Sequence, residues 1–322
     1  MSTASSSGSD VIEAERAEPE VSIVVPVYRS GPGLEALRAR THAAMSAAGM
    51  PYEMIFVEDN GGDDSWSVIT ELAARHPQVR GVKLSRNFGQ HAATLCGISR
   101  AAGEWVVTID DDLEQPPEMI PALVAKGRQG FTLVYGTLEE RTHAVWRNMT
   151  SEFGRSLFKF AIPSLNRDYT SFRAIHRSVA VALDRFQSPF TFIDGYLSWI
   201  TGNYATVAVP HSERAAGRSN YNLRKLITHM INIFVTFSDL PLRLATWLGI
   251  GASLAGALWG AIIILGRLSG SIEVGGYASL MAAIVFIGGV QLLILGIFGE
   301  YLARINFRTG AMPVFLVERE CS

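Results

Sequence analysis

Short apolar runs alternate with helical patterns over the first third of the chain. Four runs rich in β-branched or aromatic residues predict buried strands, and the segments between them carry apolar residues at helical spacing. The predicted strands are VSIVVPV, YEMIFVED, VRGVKLS and EWVVTID, and the predicted helices are GLEALRARTHAAMSAAG, SWSVITELAARH and QHAATLCGISRAAG. Strands that alternate with helices normally form a parallel sheet. We therefore expect an α/β fold, a mostly parallel sheet with helices on both faces.

The last third of the chain is far more apolar. Residues 244–265 and 278–299 are two long runs without a charged side chain. A helix of about 20 apolar residues spans a bilayer, so these runs predict a two-helix transmembrane hairpin, with a pair of buried core helices as the alternative. The loop between them holds one basic residue, Arg267, and the flanks hold more: Arg224, Lys225, Arg243, Arg304 and Arg308. This asymmetry predicts a protein of the inner (plasma) membrane with the α/β domain and both termini in the cytoplasm.

An amphipathic segment, NLRKLITHMINIFVTFSDLPLR, precedes the first apolar run. Its apolar residues recur at helical spacing, and its basic residues fall elsewhere on the helical wheel. This pattern predicts a helix that lies on the membrane surface, with an ordinary amphipathic helix packed on the domain as the alternative. The expected organisation is a disordered tail (1–20), the α/β domain (21–215), the interfacial segment (216–241), the hairpin (242–302) and a cytoplasmic C-terminal tail (303–322).

Composition narrows the classes of partner. There are 28 Lys and Arg against 30 Asp and Glu, a formal net charge of −2, which argues against a nucleic-acid-binding protein. The two cysteines, Cys96 and Cys321, do not indicate a disulfide framework, which fits a reducing compartment. The first twenty residues lack the basic start and apolar run of a signal peptide.

The densest negative charge follows the fourth predicted strand, in TIDDDLEQPPE. Asp110 and Asp112 are two residues apart, and side chains of an extended segment alternate between faces, so we expect both on one face, joined there by Glu114. Clustered carboxylate oxygens suit Mg²⁺ or Mn²⁺. Asp110, Asp112 and Glu114 are therefore predicted metal ligands. A solvated acidic turn is the alternative.

A second acidic cluster, VEDNGGDDSW, follows the second predicted strand. Ligands of open α/β sheets bind beyond the carboxyl ends of the strands, and an acidic residue there commonly holds part of a nucleotide. We expect Glu58 and Asp59 to contact such a ligand. Asp64 or Ser65 is expected to cap the helix that follows.

Six motifs occur in order: VVPVYR, VEDNGGDDS, LSRNFGQHAATLCGI, GEWVVTIDDDLEQPPE, ERAAGRSNY and SDLPLR, followed by the two apolar runs and GEYLARI. This order resembles the family 2 glycosyltransferases that act on polyprenyl phosphates. That branch includes dolichol-phosphate mannose synthases, prophage-type bactoprenol glucosyltransferases and undecaprenyl-phosphate formamido-arabinose transferases. The resemblance covers nearly all of residues 21–310.

The resemblance implies a fold and a reaction. The fold would be of the GT-A type. An inverting enzyme would move one sugar from a nucleotide-sugar, UDP- or GDP-linked, to a polyprenyl phosphate of the undecaprenyl or decaprenyl type. The transfer would occur at the cytoplasmic face of the membrane with Mg²⁺ or Mn²⁺ as cofactor. The resemblance also allows a homo-oligomer, and it leaves the sugar undetermined.

The same resemblance implies roles for individual residues. Asp110 and Asp112 match the Asp-x-Asp metal motif, which makes Asp112 a catalytic candidate. The nucleotide pocket would be lined by Pro26, Tyr28, Glu58, Asp59 and Asp110.

Asp168, in NRDYTSFRAIHR, matches a position proposed in the family as catalytic base or acceptor orienter, and a turn-capping aspartate is the alternative. Arg173 in the same segment is open to either kind of role. Gln90 and His91 follow the third strand, and we assign them no chemistry beyond the start of a helix.

The acceptor would be an anion of roughly −1.5 to −2 charges near pH 7. It is already a nucleophile and needs cationic positioning more than a strong base. Candidates for this acceptor-phosphate site are Arg141, Arg147, Ser151, Arg214, Arg218 and Ser219. For each arginine, an ordinary surface role is the alternative.

Several positions depart from the family pattern. Asp111 and Glu114 stand within a motif that commonly reads Asp-Ala-Asp-Leu-Gln, Arg29-Ser30 replaces Asn-Glu, and Asn220 replaces a lysine. These departures keep open a membrane-anchored nucleotide-sugar-binding protein without turnover. A processive polysaccharide synthase is the other rival, although that class normally carries a Gln-x-x-Arg-Trp motif and more membrane spans.

Overall fold

The computed structural model describes residues 18–138, 168–186, 191–210, 240–269, 276–309 and 313–322. The chain divides into two compact units. One comprises Met1–Glu152, Ser164–Asn220 and Met312–Ser322, and the other Phe153–Pro163 and Tyr221–Ala311. The described part of the first unit contains a sheet, and that of the second contains two long helices.

The first unit is built on an eight-stranded sheet in the order β7-β5-β6-β4-β1-β2-β3-β8. Four strand pairings are parallel: β1–β2, β1–β4, β2–β3 and β5–β7. The pairings β4–β6, β5–β6 and β3–β8 are antiparallel. The expected mostly parallel sheet is confirmed. The strands are β1 (Val21–Val27), β2 (Tyr52–Glu58), β3 (Val79–Leu84), β4 (Trp105–Thr108), β5 (Leu133–Leu138), β6 (Arg173–His176), β7 (Tyr204–Val209) and β8 (Val317–Cys321).

Helices cover both faces of this sheet. Alternate residues of β2 point to opposite sides: Met54 and Phe56 lie in the larger core cluster with α1, α2 and α4, whereas Ile55 and Val57 lie in a second cluster with α3. The expected arrangement of layers is therefore confirmed. The helices are α1 (Leu34–Ala47), α2 (Ser65–Arg75), α3 (Gln90–Arg100), α4 (Ile120–Gly127), α5 (Arg177–Leu183) and α6 (Ile193–Ile200).

Helix α3 lies very close to the sheet. A Cβ atom built on Gly97 would be 2.3 Å from a methyl carbon of Val24 in β1, so a larger residue could not be placed there without moving the helix. Because α3 follows β3 after a short loop, its first residue, Gln90, lies near the carboxyl ends of the strands. The tight packing fixes that end of the helix.

The C-terminal residues add an edge strand that the sequence patterns did not predict. β8 pairs with β3, and Glu320 on it accepts a 2.9 Å ion-pair contact from Arg100 of α3. Its sequence, VEREC, is short and mostly polar, as expected for a strand at an exposed sheet edge. Periodicity alone does not distinguish such a segment from a tail.

The second unit contains α7 (Leu240–Leu268) and α8 (Tyr277–Thr309). The stretches Leu244–Ile263 and Phe286–Ala303 are long and apolar enough to cross a membrane, judged by length and composition. None of either stretch is buried, which disfavours the alternative of two core helices. Residues 216–239 of the predicted interfacial segment lie outside the described residues. The predicted domain boundaries stay predictions.

Candidate active site

The carboxyl ends of three neighbouring strands bring the two acidic clusters together. β4, β1 and β2 are adjacent and parallel, so their carboxyl ends lie along one edge of the sheet. Tyr28 follows β1, Glu58 ends β2, and Asp110 lies two residues beyond β4. This is the edge at which open α/β sheets bind ligands.

Hydrogen bonds from three side chains hold the carboxylate of Asp110 at this edge. Its Oδ1 accepts a 2.7 Å hydrogen bond from the side-chain amide of Gln90, and its Oδ2 accepts bonds from Ser171 (2.5 Å) and Gln115 (3.0 Å). Gln115 also accepts from the backbone N–H of Asp110 at 3.0 Å. Burial raises the pKa of Asp110, although the hydrogen bond from Ser171 acts in the opposite direction. The network holds a carboxylate whose negative charge is costly.

Asp111 links the acidic loop to the end of β1 through a hydrogen bond. Its Oδ2 accepts a hydrogen bond from the backbone N–H of Tyr28 at 3.2 Å. Burial raises the pKa of Asp111 to about 6, and the hydrogen bonds from Ser30 and Tyr28 limit the rise. A residue that departs from the family motif is thus part of the join between β1 and the acidic loop.

The side chains of the acidic loop do not alternate between two faces as those of an extended strand do. β4 ends at Thr108, and the backbone is not extended beyond it, since Leu113 has a φ of 62°. The backbone N–H of Glu114 donates to Oδ1 of Asp112 at 3.1 Å, a local bond that turns the chain. Asp110, Asp112 and Glu114 therefore do not share a face by strand geometry. In the described segments, no group of three or more His, Cys, Asp or Glu side chains is arranged to hold a metal ion.

The residues present nevertheless fit a divalent cation. Mg²⁺ is usually held by one or two protein carboxylates together with substrate phosphates, and a closed protein cage is not required. Asp110 and Asp112 offer the hard oxygen atoms that such an ion prefers. A cation would also relieve the cost that raises the pKa of Asp110 and Asp111. The assignment of Asp110, Asp112 and Glu114 as ligands stays a prediction.

Asp59 holds the loop before α3. Its two carboxylate oxygens accept hydrogen bonds from the backbone N–H groups of Phe88 (2.7 Å) and Gly89 (2.8 Å), and the residue is only 3% exposed. Burial raises the pKa of Asp59 despite these bonds. Next to it, Oε1 of Glu58 accepts from the N–H of Gly61 at 2.6 Å, whereas the buried Oε2 has no hydrogen-bond partner. A nucleotide role for either residue stays a prediction.

Ser65 links the loop after β2 to the end of β1. Asp64 occupies the N-cap position of α2, but its side chain makes no capping hydrogen bond. Ser65 Oγ donates to Asp63 at 2.8 Å and accepts from the backbone N–H of Ser30 at 3.1 Å. The predicted N-cap position of Asp64 is therefore confirmed, but neither side chain caps the helix, because Ser65 bonds the neighbouring loop.

The other two predicted nucleotide contacts differ in accessibility. Pro26 is buried within β1 opposite Val57 of β2. Tyr28 is 46% exposed at the end of that strand, and the guanidinium of Arg29 lies 5.2 Å from the centre of its ring. Tyr28 is thus accessible to a ligand at the strand ends, whereas Pro26 contributes packing beneath it. Their nucleotide roles stay predictions.

Asp168 lies near the start of a segment, three residues before Ser171, that contacts the carboxylate of Asp110. Asp168 is exposed, and three residues later Ser171 donates to Asp110. Thr108 Oγ1 donates to the carbonyl oxygen of Ser171 at 2.5 Å and fixes the segment against β4. Asp168 therefore lies close in sequence to the Asp110 network, and its proposed role stays a prediction.

Arg173, which the sequence left open, forms a buried ion pair with Asp194. The two side chains are 2% and 5% exposed. Tyr135 also donates to Asp194 at 3.4 Å. This position is structural support behind the site and has no exposed cation to offer a ligand.

The predicted acceptor-phosphate residues lie outside the described residues. They are Arg141, Arg147, Ser151, Arg214, Arg218 and Ser219. Three residues of the Asp110 network were not predicted from sequence: Gln90, Gln115 and Ser171. Gln90 lies in the motif LSRNFGQHAATLCGI, Gln115 in the acidic motif and Ser171 in NRDYTSFRAIHR, so motif position was the available signal for all three.

Known proteins match both parts of this chain. Residues 22–182 match the family described as Glycosyl transferase family 2, and residues 240–305 match the GtrB C-terminal hairpin. The second match coincides with α7 and α8, and together with their apolar character it indicates membrane association.

Individual relatives align over almost the whole chain. An undecaprenyl-phosphate 4-deoxy-4-formamido-L-arabinose transferase of Pseudomonas aeruginosa (strain LESB58) is 35% identical over 93% of this chain and 89% of its own length. A bactoprenol glucosyl transferase of Shigella phage SfV is 31% identical over 94% of this chain and 99% of its own.

The likeness to solved structures is weaker. Glucosyl-3-phosphoglycerate synthase from Mycobacterium tuberculosis is 18% identical, covers 73% of this chain and 85% of its own, and has a TM-score of 0.48. The assignment therefore rests on the sequence matches, which cover more than nine tenths of the chain at more than 30% identity. On these matches, the chain belongs to glycosyltransferase family 2.

Proposed function

We propose that this chain transfers one sugar from a nucleotide-sugar to a polyprenyl phosphate. The observation that carries the proposal is the extent of the match: relatives named for undecaprenyl phosphate and bactoprenol align over the sheet domain and over the two apolar helices alike. A soluble acceptor would not need those helices, whereas a lipid phosphate lies at the headgroup level of a membrane.

The reaction is a displacement at the anomeric carbon. An oxygen of the lipid phosphate attacks that carbon, the bond to the nucleoside diphosphate breaks, and the diphosphate leaves with the bonding electrons. The configuration inverts. A divalent cation, when bound, would supply charge compensation for the leaving diphosphate. Asp110 and Asp112 would hold it, and Gln90, Gln115 and Ser171 would orient Asp110.

The membrane face belongs to the proposal as well. Basic residues flank the two uncharged stretches 244–265 and 278–299, and only Arg267 lies between them. The positive-inside rule then supports a cytoplasmic sheet domain, where nucleotide-sugars are available. UDP- and GDP-linked donors are the first to test.

The experiment uses the full chain purified in detergent. Undecaprenyl phosphate, Mg²⁺ or Mn²⁺ and a panel of UDP-, GDP- and dTDP-sugars are incubated with it, and mass spectrometry measures the lipid monophosphate sugar. We expect a product with one donor, lost when EDTA is added.

Two matched variants accompany this assay. Asp112→Asn should lower transfer by about 100-fold or more, because it removes a carboxylate from the predicted cation site. Asp184→Asn makes the same change at an exposed position after α5 and should leave transfer unchanged. Full activity in Asp112→Asn would refute the cation role. Donor binding without any product would favour the binding protein without turnover.

A further inference from the structure

Two separate contacts join the first turn of α3 to the segment before β6. One is the carboxylate of Asp110, which accepts from Gln90 on one side and Ser171 on the other. The second is the ring of Phe192, which precedes α6 and contacts two further rings. His91 lies 5.5 Å from it at 88°, and Tyr169 lies 5.8 Å from it at 90°. We call His91, Tyr169 and Phe192 the aromatic wall.

The aromatic wall has a rigid base and an accessible edge. Phe192 is only 5% exposed, and both of its neighbours meet it edge to face, a favourable geometry for aromatic pairs. Tyr169 is 38% exposed. The wall therefore presents a tyrosine ring whose position is set by a buried neighbour, and such a ring loses little conformational entropy when it binds a ligand.

Two residues of the aromatic wall are close in sequence to residues that bond Asp110 at the candidate cation site. His91 directly follows Gln90, and Tyr169 precedes Ser171 by two residues, and both Gln90 and Ser171 are bonded to Asp110. A diphosphate held at Asp110 would place the sugar that it carries within reach of the wall. The hydroxyl groups of a sugar lie around the edge of its ring, whereas its C–H groups form an apolar face that packs on aromatic rings.

We infer that the aromatic wall binds the sugar of the nucleotide-sugar donor, with Tyr169 as the residue that contacts its C–H face. This inference rests on the proposed function, since it names the sugar subsite of that reaction. The wall discriminates among donors by the shape of the sugar, and it contributes nothing to binding of the nucleotide alone. That asymmetry distinguishes a sugar contact from a structural role.

The test measures binding, so it does not depend on turnover. Isothermal titration in detergent with Mg²⁺ gives the Kd of UDP, UDP-glucose, GDP and GDP-mannose for the full chain and its variants. Tyr169→Ala should raise the Kd of the preferred sugar nucleotide by about tenfold and leave the Kd of the bare nucleotide unchanged. Tyr169→Phe keeps the ring and should bind like the wild type.

Tyr204→Ala is the matched control. Tyr204 is a half-buried tyrosine of β7 that packs edge to face on Tyr135. We expect it to change neither affinity. Equal weakening of nucleotide and sugar nucleotide by Tyr169→Ala would overturn the inference, and so would wild-type protein that binds both equally. Weakened binding of undecaprenyl phosphate alone would assign the wall to the acceptor and also overturn it. Failure of the proposed function has a different signature: wild-type protein binds a sugar nucleotide but forms no lipid product.

Discussion

Gln90 donates a 2.7 Å hydrogen bond to Oδ1 of Asp110 and so joins the first turn of α3 to the loop after β4. A bond to a charged acceptor contributes about 1.5–3 kcal/mol. Gln90→Met keeps the length of the side chain and removes the donor. We expect the Mg²⁺ concentration for half-maximal transfer to rise by about tenfold, because Asp110 is no longer held in one orientation. Transfer assays across a Mg²⁺ titration measure this.

The Tm of this variant should also fall, because the lost hydrogen bond has a charged acceptor and contributes about 1.5–3 kcal/mol. Gln129→Met is the matched control, an exposed glutamine in the turn after α4 whose side chain accepts from Lys126. An unchanged Mg²⁺ requirement in Gln90→Met would show that the hydrogen bond from α3 is not needed to orient Asp110.

Asp59 offers a test between two roles. Asparagine at this position can accept from only one of the N–H groups of Phe88 and Gly89, and leaving one of these donors unsatisfied costs about 1–3 kcal/mol. If Asp59 holds the loop, Asp59→Asn should lower the Tm and should weaken the binding of UDP and of GDP to a similar extent. A direct contact with the nucleobase predicts instead an altered preference between UDP and GDP. Calorimetric Kd values for both nucleotides decide, with Asp184→Asn as control.

The elements around the site were predictable because their signals are local. β1 matches its apolar run, and α1, α2 and α3 end within a few residues of the predicted positions. Buried strands and amphipathic helices both repeat over a short window of sequence. The carboxyl-end position of Asp59 and Asp110 followed from the parallel order of the strands alone.

The contacts within the site were not predictable in the same way. Ser171 is 61 residues from Asp110 and reaches it because β6 pairs with β4 in the antiparallel sense. Strand pairing of this kind leaves no local trace in either segment. The prediction that the carboxylates of the acidic loop share one face was wrong for a related reason. A left-handed residue such as Leu113 breaks the alternation of side chains on which that prediction depended.

Asp111 gives the site a pH dependence. Its pKa is about 6 in the folded protein, against an ordinary value of 3.8. Between about pH 4 and 6 the folded chain retains a proton that the unfolded chain releases. The stabilising contribution of Asp111 is therefore present below pH 4 and is lost as the pH rises through 6. At pH 7 the loop carries a charge whose burial is costly, and a cation relieves that cost.

Mg²⁺ should accordingly raise the Tm more at pH 7 than at pH 5. Thermal unfolding in detergent with Mg²⁺ or EDTA at both pH values measures the difference. Asp111→Asn has no charge to relieve and should show a smaller difference, while its side-chain oxygen can still accept from Tyr28. A Mg²⁺ effect that is equal at the two pH values would contradict this reading of the loop.

The buried pair of Arg173 and Asp194 supports the site from behind. Arg173 lies on β6 two residues after Ser171, so this strand also positions the hydroxyl that binds Asp110. Removing one partner of a buried pair leaves an uncompensated charge and costs about 3–5 kcal/mol. Asp194→Leu should lower the Tm by about 6–20 °C. Thermal unfolding in detergent measures it, with Asp184→Leu as an exposed control.

The double variant separates charge from packing. Arg173→Met combined with Asp194→Leu removes both charges and fills similar volume, and replacing a buried pair by apolar residues is often neutral or stabilising. We expect the double variant to regain most of the Tm lost in Asp194→Leu, a coupling that a double-mutant cycle quantifies. If the two losses simply add, the pair is not a coupled unit.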